Sequence, residues 1–406
     1  MSPPPPDDRA DSIGSQSAGG GGGGGEKKAK NRRPANTAFR QQRLKAWQPI
    51  LTPKTVLPLF FAVGIIFAPI GGLLLWASAQ VQELVINYSD CSTEAPLGDG
   101  VDAFVDMPPD KITSTFKSTN SSNLVQAQYK RNFTSINYAP GVDVNTSVCS
   151  LSFRIPDEIG PPVYLFYRLS NFYQNHRRYV KSLDDSQLKG DAVSNVTIDG
   201  GSCAPLKLNE TGFAYYPCGL IANSVFNDTF MEPVVLGDSS NKTYPMTDKG
   251  IAWASDATLY GPTKYRWDEV APPPNWMLRY PNGYTPDNPP PELHKDESLQ
   301  VWMRTAGLPT FSKLARRNDD QKMEGGNYRI DIRDSFPVIK YGGTKSIVLS
   351  TRTVMGGRNP FLGIAYVVVG GLKLGDHTYL SWNNDQPSTA TTSGRDMRGG
   401  TGSVAA

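Results

Sequence analysis

Residues 55–82 read TVLPLFFAVGIIFAPIGGLLLWASAQVQ, and this stretch contains no charged residue. A helix that spans a bilayer needs about 20 mainly apolar residues, so the stretch is long enough to cross a membrane. Pro58 and Pro69 disfavour a soluble helix, but membrane helices tolerate proline better because neighbouring groups re-satisfy the freed backbone. More than fifty residues precede the stretch, which argues against a cleaved secretory signal. We therefore predict an integral membrane protein with a transmembrane helix at 55–81.

The charges on either side of this helix predict its orientation. The first charged residues after it are Glu83 and Asp90. Because an excess of Lys and Arg stays in the cytosol, we expect a cytosolic amino terminus and a lumenal or extracellular chain from residue 83 onward. The basic residues before the helix are Lys27, Lys28, Lys30, Arg32, Arg33, Arg40, Arg43, Lys45 and Lys54.

N-x-[ST] glycosylation acceptors follow the apolar stretch, and none precedes it. A single acceptor arises easily by chance, but their shared position on the predicted lumenal side agrees with the orientation. We therefore expect a glycosylated ectodomain. The eight acceptors are Asn87, Asn120, Asn132, Asn145, Asn195, Asn209, Asn227 and Asn241.

The four cysteines, Cys91, Cys149, Cys203 and Cys218, also follow the apolar stretch. Their position predicts structural disulfides in an oxidising compartment. None has the C-x-x-C spacing of a zinc or redox site. Four cysteines allow three pairings, of which we favour the nearest neighbours along the chain, Cys91–Cys149 and Cys203–Cys218.

The remaining chain divides by composition. Residues 1–35 include PPPP and seven consecutive glycines, which predict a disordered cytosolic tail. Residues 36–54 mix basic and aromatic side chains and form a membrane-proximal cytosolic motif. Residues 82–353 form the lumenal ectodomain, which reads mainly as strands and loops.

Within the ectodomain, 161–173 and 328–343 are rich in β-branched and aromatic residues and predict strands. The segment 170–190 places Phe172, Asn175, Tyr179 and Leu183 at helical spacing and predicts a helix. A second helix is predicted over 299–318. The proline-dense stretch 272–291 predicts an ordered, irregular loop.

A second apolar run, FLGIAYVVVGGL, occupies residues 361–372. About a dozen residues fall short of a full membrane crossing. Extending the run backward takes in Arg358 and Arg352, and an arginine near a helix end can reach the headgroups. We predict a short second transmembrane helix at 354–372 and a disordered cytosolic tail at 373–406.

The sequence lacks the motifs of common catalytic sites. It has no Walker A loop, G-x-S-x-G elbow, H-E-x-x-H zinc motif or calcium loop, and no D-K-T-G of an aspartyl-phosphate pump. The 41 basic and 38 acidic residues are balanced, which argues against a nucleic-acid binder. We expect no enzymatic activity, no cofactor and no bound metal.

A set of eight motifs resembles the cell division control protein 50 (ligand-effect modulator) family, and in particular its fungal members. The similarity extends from about residue 36 to 381. The motifs are NTAFRQQRLKAWQPILTP (36–53), YRLSNFYQNHRRYVKSLD (167–184), YPCGLIANSVFNDT (216–229), GIAWASD (250–256), PPNWMLRYPNGYT (273–285), VWMRTAGLPTF (301–311), YGGTKSIVLST (341–351) and GGRNPFLGIAYVVVGG (356–371).

The resemblance implies two membrane helices that flank an ectodomain built around an antiparallel β-sandwich, with both termini in the cytosol. Members of this family are accessory β-subunits of type-IV P-type ATPases, the phospholipid flippases. The resemblance therefore implies a heterodimer with such an α-subunit, contact with membrane phospholipids, and escort of the α-subunit out of the endoplasmic reticulum. The implied locations are the endoplasmic reticulum, Golgi, endosome or plasma membrane.

Several residues of these motifs are candidates for contact with the α-subunit. An alternative interpretation of the candidates near Phe39 is a topology signal. For those near Phe172 the alternative is internal packing, and for Asn359 and Pro360 it is a structural turn. Gly64 and Gly71 could permit close helix packing in the bilayer. The candidates are Phe39, Arg40 and Gln41 on the cytosolic side, Phe172, Tyr173, His176, Arg177 and Arg178 in the lumen, and Asn359 and Pro360 before the second span.

One feature departs from the family, whose members continue the second span with more apolar residues. Here the run passes directly into Lys373, as in an altered gene model or splice form.

A second functional hypothesis is a stand-alone, membrane-anchored module that binds glycans or lipids in the lumen. It rests on aromatic-rich loops around Trp267, Trp276 and Trp302.

Overall fold

The structure is a computed structural model that describes residues 39, 42, 53–98, 103–116, 118, 125–237, 242–351 and 359–385. The chain divides into two units, residues 1–56 and residues 57–406. In the first unit, a turn brings the backbone N–H of Gln42 to the carbonyl of Phe39 at 3.1 Å. The second unit holds the ectodomain.

The two long helices are α1, Pro53–Ala79, and α9, Phe361–Asp385. The helices between them are short: α2 Cys91–Glu94, α3 Arg177–Val180, α4 Asp185–Leu188, α5 Asn195–Gly200, α6 Leu220–Asn223, α7 Ala254–Ala257 and α8 Glu297–Met303. Single 3-10 turns occupy Pro109–Lys111, Pro274–Trp276, Leu293–Lys295 and Ile339–Tyr341.

The ectodomain is built on antiparallel sheets. One sheet has the strand order β11-β6-β13-β1-β3, a second has β2-β4-β5-β12-β8 with β9 also on β12, and β7 pairs with β10 in parallel. The strands are β1 Glu83–Asn87, β2 Val105–Asp106, β3 Ile112–Thr115, β4 Ala127–Ala139, β5 Val142–Ile155, β6 Val163–Ser170, β7 Ala214–Tyr215, β8 Thr229–Phe230, β9 Val234–Leu236, β10 Val270–Ala271, β11 Phe311–Asn318, β12 Gly326–Asp334 and β13 Thr344–Thr351.

Both large sheets contribute to one hydrophobic core. Alternate residues of strands such as β1 and β12 are buried, as the period of a pleated strand requires, whereas β13 is buried on both faces. Leu84 and Ile86 of β1 enter the core from the first sheet, and Leu151 and Phe153 of β5 enter it from the second. The prediction of a mainly β ectodomain with antiparallel strands is confirmed.

Two disulfides join the cysteine pairs that the sequence analysis favours. Cys91–Cys149 ties α2 to β5 in the main core. Cys203–Cys218 lies in a separate small core with Ile198 and Ala214. The second bridge therefore closes a small module on the side of the ectodomain.

The two predicted ectodomain helices are wrong over most of their length. Of the segment 170–190, only α3 and α4 are helical, because Gln174 and Ser182 turn inward to bond distant loops. The Gln174 side-chain oxygen accepts from the N–H of Ala306, and Ser182 Oγ donates to the carbonyl of Ala204, both at 2.9 Å.

The segment 299–318 contains both a helix and a strand. Helix α8 ends at Met303, and the chain from Phe311 joins β6 as strand β11. This pairing is non-local, so the helical pattern of the segment did not reveal it. The proline-dense stretch 272–291 is irregular apart from one 3-10 turn, as predicted.

The long helices differ from their predicted bounds. In the described part of the chain, α1 alone is long and apolar enough to cross a membrane, over Pro58–Ala79, whereas the apolar part of α9 is limited to Phe361–Lys373. Helix α9 continues to Asp385, so the disordered tail predicted from residue 373 is not found there. The sequence permits this, because no proline follows Pro360 until Pro387. Residues 352–358 and 386–406 lie outside the described residues.

Candidate partner interface

Helices α1 and α9 pack closely against each other through small residues. A Cβ atom added at Gly71 would lie 2.7 Å from the backbone nitrogen of Val367, and one added at Gly370 would lie 2.8 Å from that of Ala68. Small residues let membrane helices approach in this way. The prediction that Gly71 permits close packing is confirmed, and Gly64 is also buried.

The remaining faces of α1 and of the apolar part of α9, up to Leu372, are apolar and exposed. A helix that is apolar all round is suited to a membrane or to a protein interior rather than to water. These faces are therefore candidate contacts for lipid or for the helices of a partner. The exposed side chains are Leu59, Phe61, Ile65, Ile66, Ile70, Leu73 and Trp76 on α1, and Phe361, Leu362, Ile364, Val367, Val368, Val369 and Leu372 on α9.

Asn359 and Pro360 lie immediately before α9. The backbone N–H of Asn359 donates to Ser78 Oγ at the end of α1, and the side-chain oxygen of Asn359 accepts from the N–H of Phe361, each at 3.1 Å. Both candidate residues are exposed. This geometry gives Asn359 a structural role at the helix terminus.

Phe172 differs from the other lumenal candidates because it packs inside the protein. Its ring centroid lies 5.4 Å from that of Trp302 and 6.0 Å from that of Tyr179. Tyr173 is 57% exposed. His176, Arg177 and Arg178 are exposed as well.

Three loops hold this exposed group together. The backbone of Asn171 has φ +56°. The Asn171 side chain donates to the carbonyl of Tyr341, and the Asn175 side chain donates to the carbonyl of Gly307, each at 3.0 Å. The exposed large side chains of the three loops are Tyr173, Leu308, Ile339 and Tyr341, which we call the loop surface. In the described part of the chain, neither Arg177 nor Arg178 forms an ion pair, so the edge of this surface carries free positive charge.

The loop surface lies at the end of its sheet that faces away from α1. Glu83, just after α1, pairs with Ser350, whereas the loops follow Ser170, which pairs with Thr344. Ser350 pairs with Tyr164, so six steps of β6 separate the two ends, or about 20 Å at 3.3 Å per residue. The loop surface is therefore distant from the end of α1.

A buried charged group joins the two sheets beneath this surface. Lys345 is 1% exposed and donates to the carboxylates of Asp228 and Asp334. Asp228 also accepts from the Tyr88 hydroxyl at 2.9 Å. Burial raises the pKa of the Tyr88 hydroxyl and of the Asp334 carboxyl, with the Asp228 charge acting in the same direction. This group is internal, so its role is structural.

A second buried lysine holds the end of α8. Lys313 donates to the carbonyls of Val301, Trp302 and Arg304. Burial and the Arg304 charge lower the pKa of Lys313 to about 7, while the three carbonyls favour its charged form. The sequence analysis missed both Lys313 and Lys345; a lysine inside a β-branched strand such as TKSIVLST is the signal that marks Lys345.

The other candidate residues are distributed as follows. Phe39 is exposed, and Arg40 and Gln41 lie outside the described residues. Among the glycosylation acceptors, Asn145 and Asn227 are exposed. Those at Asn87, Asn132, Asn195 and Asn209 are half-buried, and those at Asn120 and Asn241 lie outside the described residues.

The tryptophans behind the second hypothesis are mostly used for packing. Trp302 is fully buried, and the Trp276 indole donates to the carbonyl of Ala222 at 3.0 Å. Only Trp267 of the three is exposed, at 42%. Within the described residues, no three His, Cys, Asp or Glu side chains are grouped to hold a metal ion.

The sequence matches known proteins along most of its length. The model of the LEM3 (ligand-effect modulator 3) family / CDC50 family matches residues 74–379. The phospholipid-transporting ATPase accessory subunit CDC50 of Chaetomium thermophilum is 43% identical over 89% of this chain and 93% of its own length.

Two further relatives extend this similarity beyond one organism. The phospholipid-transporting ATPase accessory subunit CRF1 of Saccharomyces cerevisiae is 41% identical over 88% of this chain and 91% of its own length. Cell cycle control protein 50A of Bos taurus is 38% identical over 85% of this chain and 87% of its own length. The similarity therefore includes both fungal and animal proteins.

Proposed function

The chain belongs to the LEM3/CDC50 family, and from this premise we propose that it is the non-catalytic β-subunit of a phospholipid-transporting type-IV P-type ATPase. The observation that carries the proposal is 43% identity over 89% of the chain to a protein named as an accessory subunit of such an ATPase. In this assignment the α-subunit binds ATP and moves the lipid, and this chain forms a heterodimer with it.

We propose that α1 anchors the chain in the membrane with the amino terminus in the cytosol. Its mainly apolar segment of 22 residues from Pro58 to Ala79 and its exposed apolar faces support this role. The basic residues before α1 support the orientation. The disulfides and the glycosylation acceptors after α1 favour a lumenal ectodomain, in which the two sheets pack as a β-sandwich over their common core.

We further propose that α9 crosses the membrane beside α1 and returns the chain to the cytosol. Its 25 residues are about 37 Å long at 1.5 Å per residue, which exceeds the thickness of the hydrocarbon core. Its close contact with Gly71 gives the short apolar segment a partner in the bilayer. Lys373, at the end of that segment, extends its amine to the ring of Phe60 at 4.0 Å.

The α-subunit is proposed to contact this chain at three places. In the membrane, its helices pack on the exposed faces of α1 and α9 near Asn359 and Pro360. In the cytosol, it meets Phe39, Arg40 and Gln41 of the segment 36–54. In the lumen, a rising segment reaches the loop surface; the contact residues proposed there are Tyr173, His176, Arg177 and Arg178, with Phe172 supporting them from inside.

These contacts give a physical basis for escort and for support of transport. An apolar helix pair and a rigid ectodomain cover surface that the α-subunit alone would expose in the endoplasmic reticulum. Contacts that differ between conformers of the α-subunit shift the equilibrium between them. The complex is proposed to leave the endoplasmic reticulum for the Golgi, the endosome or the plasma membrane.

The experiment removes the gene for this chain from its own cells and follows the α-subunit and the uptake of a fluorescent phospholipid. We expect the α-subunit to remain in the endoplasmic reticulum and uptake to fall, with both restored by the wild-type gene. Normal α-subunit location and normal uptake of every phospholipid tested in the deletion would contradict the proposal.

A further inference from the structure

The long hairpin of β4 and β5 extends beyond the sheet that contains it. The two strands pair with each other from Ala127 and Phe153 nearly to the turn. Strand β12 pairs with β5 only as far as Ser147, and on the other side the last bridge to β4 is at Arg131. Among the described residues, 132–146 therefore form a two-stranded ribbon without a third strand, an arrangement that is marginally stable on its own.

One face of this ribbon exposes a phenylalanine. Phe133 is 51% exposed, although an aromatic side chain of this size usually finds cover in a sheet. Phe133 lies opposite Ser147, and Ser135 lies opposite Asn145. Side chains of directly paired residues share a face, so Phe133, Ser135 and Asn145 form one exposed patch next to the half-buried Ser147.

Asn145 is the diagonal cross-strand neighbour of Phe133 in this patch. Diagonal neighbours lie about 7–8 Å apart between Cα atoms, which is within reach of an aromatic or long side chain. The residue opposite Asn145 is the small and exposed Ser135, so no bulky side chain of the paired strand lies between Asn145 and Phe133. Asn145 is exposed and begins an Asn-Thr-Ser glycosylation acceptor.

We propose that Asn145 carries an N-linked glycan whose first N-acetylglucosamine stacks on the exposed face of the Phe133 ring. The C–H groups of a pyranose ring carry partial positive charge and lie favourably on the negative face of an aromatic ring. The contact also removes apolar area of Phe133 from water. The glycan then covers one face of the two-stranded ribbon, which lacks a third strand, and stabilises it. This inference rests on the lumenal placement proposed above.

The covalent step is transfer of an oligosaccharide from a lipid diphosphate donor. The amide nitrogen of Asn145 forms a bond to the anomeric carbon of the first sugar. The bond from that carbon to the diphosphate oxygen breaks, and its electron pair leaves with the lipid diphosphate. The amide nitrogen gives up one of its two protons to the base of the transferring enzyme.

A second acceptor has a similar aromatic neighbour. The backbone N–H of Asn209 donates to the carbonyl of Phe213, and the N–H of Phe213 donates to the side-chain oxygen of Asn209, each at 2.8 Å. Phe213 is 41% exposed. The side-chain oxygen of Asn209 is used in hydrogen bonds to Thr211 and Phe213, and no hydrogen bond of its amide nitrogen is found among the described residues. The pairing of an acceptor with a half-exposed phenylalanine therefore occurs twice.

The test is a double-mutant cycle on the full-length chain, purified in detergent from a eukaryotic host. Wild type, Asn145→Gln, Phe133→Ala and the double variant are compared by apparent Tm, and the Asn145 peptide is examined by mass spectrometry. We expect a glycan at Asn145 and a fall in Tm of about 2–4 °C for Asn145→Gln in the presence of Phe133, with little change in the Phe133→Ala background. Trimming the glycans to a single sugar should leave the wild-type Tm unchanged.

Asn132→Gln is the matched control, because Asn132 lies in the same ribbon but on the opposite face. Its effect on Tm should be the same with and without the Phe133 ring. If Phe133→Ala does not fold, Phe133→Leu keeps the apolar volume and removes the π face. An unmodified Asn145, or an equal loss of Tm from Asn145→Gln in both backgrounds, overturns the inference. Recovery of the ATPase, scored in the same preparations, tests the proposed function separately.

Discussion

At the scale of single residues, the two carboxylates around Lys345 have different environments. Asp228 uses both oxygens, one for the Tyr88 hydroxyl and Lys345, the other for the N–H groups of Ser335 and Phe336. Asp334 bonds Lys345 through one oxygen, and its Oδ2 has no hydrogen-bond partner among the described residues. Asp228 is therefore the carboxylate on which the buried ammonium depends.

We predict that Asp228→Asn destabilises the ectodomain far more than Asp334→Asn. Asp228→Asn places an amide N–H₂ among four donors and leaves Lys345 with a weakened partner. Breaking a buried pair lowers the free energy of unfolding by about 3–5 kcal/mol. Asp334→Asn keeps the carbonyl oxygen that bonds Lys345. Thermal or denaturant unfolding of both variants measures this difference, and equal losses would contradict it.

Asp334→Asn should also change how stability depends on pH. Because burial raises the pKa of Asp334, the native state binds a proton that the unfolded state has released. Stability from this group is therefore present at low pH and decreases as pH rises from about 4 through the raised native pKa. Apparent Tm measured from pH 4 to 8 should fall less steeply in Asp334→Asn than in wild type. Parallel curves would show that Asp334 does not titrate in this way.

The disulfide module gives a further prediction at this scale. Cys203 and Cys218 close a loop of 15 residues, and on the chain-entropy model such a loop stabilises the folded state by about 3 kcal/mol. The small core around the bridge has few other residues to replace that contribution. Cys203→Ser should impair folding, glycan maturation and exit from the endoplasmic reticulum. Wild-type glycan maturation and surface level in this variant would count against it.

At the scale of elements, the sequence predicted what depends on local composition. Helix α1 follows from its own apolar residues. Strand β12 occupies the first part of the β-branched and aromatic run 328–343, whereas the later part contains a 3-10 turn at Ile339–Tyr341 in place of the predicted strand. The prediction of a helix at 170–190 was wrong because its residues bond to distant loops. The spacing of residues along one sequence does not reveal such bonds. Phe172 has helical spacing with Tyr179, yet both belong to an aromatic cluster with Trp302. Likewise, no local sequence pattern distinguishes Phe172, which packs inside the protein, from Tyr173, which is exposed.

The contact between α1 and α9 predicts different tolerance at two adjacent glycines. A leucine at Gly71 would collide with the backbone of α9, whereas a Cβ at Gly72 meets nothing within 4 Å. Overpacking of this kind costs about 1–3 kcal/mol. We expect Gly71→Leu to lower the apparent Tm in detergent and the yield of folded protein, with Gly72→Leu close to wild type. If the two variants behave alike, the helices do not pack as described.

At the scale of the whole molecule, a β-rich ectodomain follows an apolar helix that exposes most of its surface. Such faces are unstable in water and require lipid or other helices. The family and its role could be inferred from motifs spread along the sequence, and the comparisons agree. The extent of α9 could not, because its polar second half has no periodic apolar pattern.

The most direct measurement is affinity purification of the tagged, full-length chain from its own membranes in mild detergent, followed by mass spectrometry. The account predicts that a P-type ATPase α-subunit is recovered in an amount equal to the chain. Gly71→Leu, which separates α1 from α9, should recover less of this partner. A folded, glycosylated chain that is recovered without any ATPase would contradict the account.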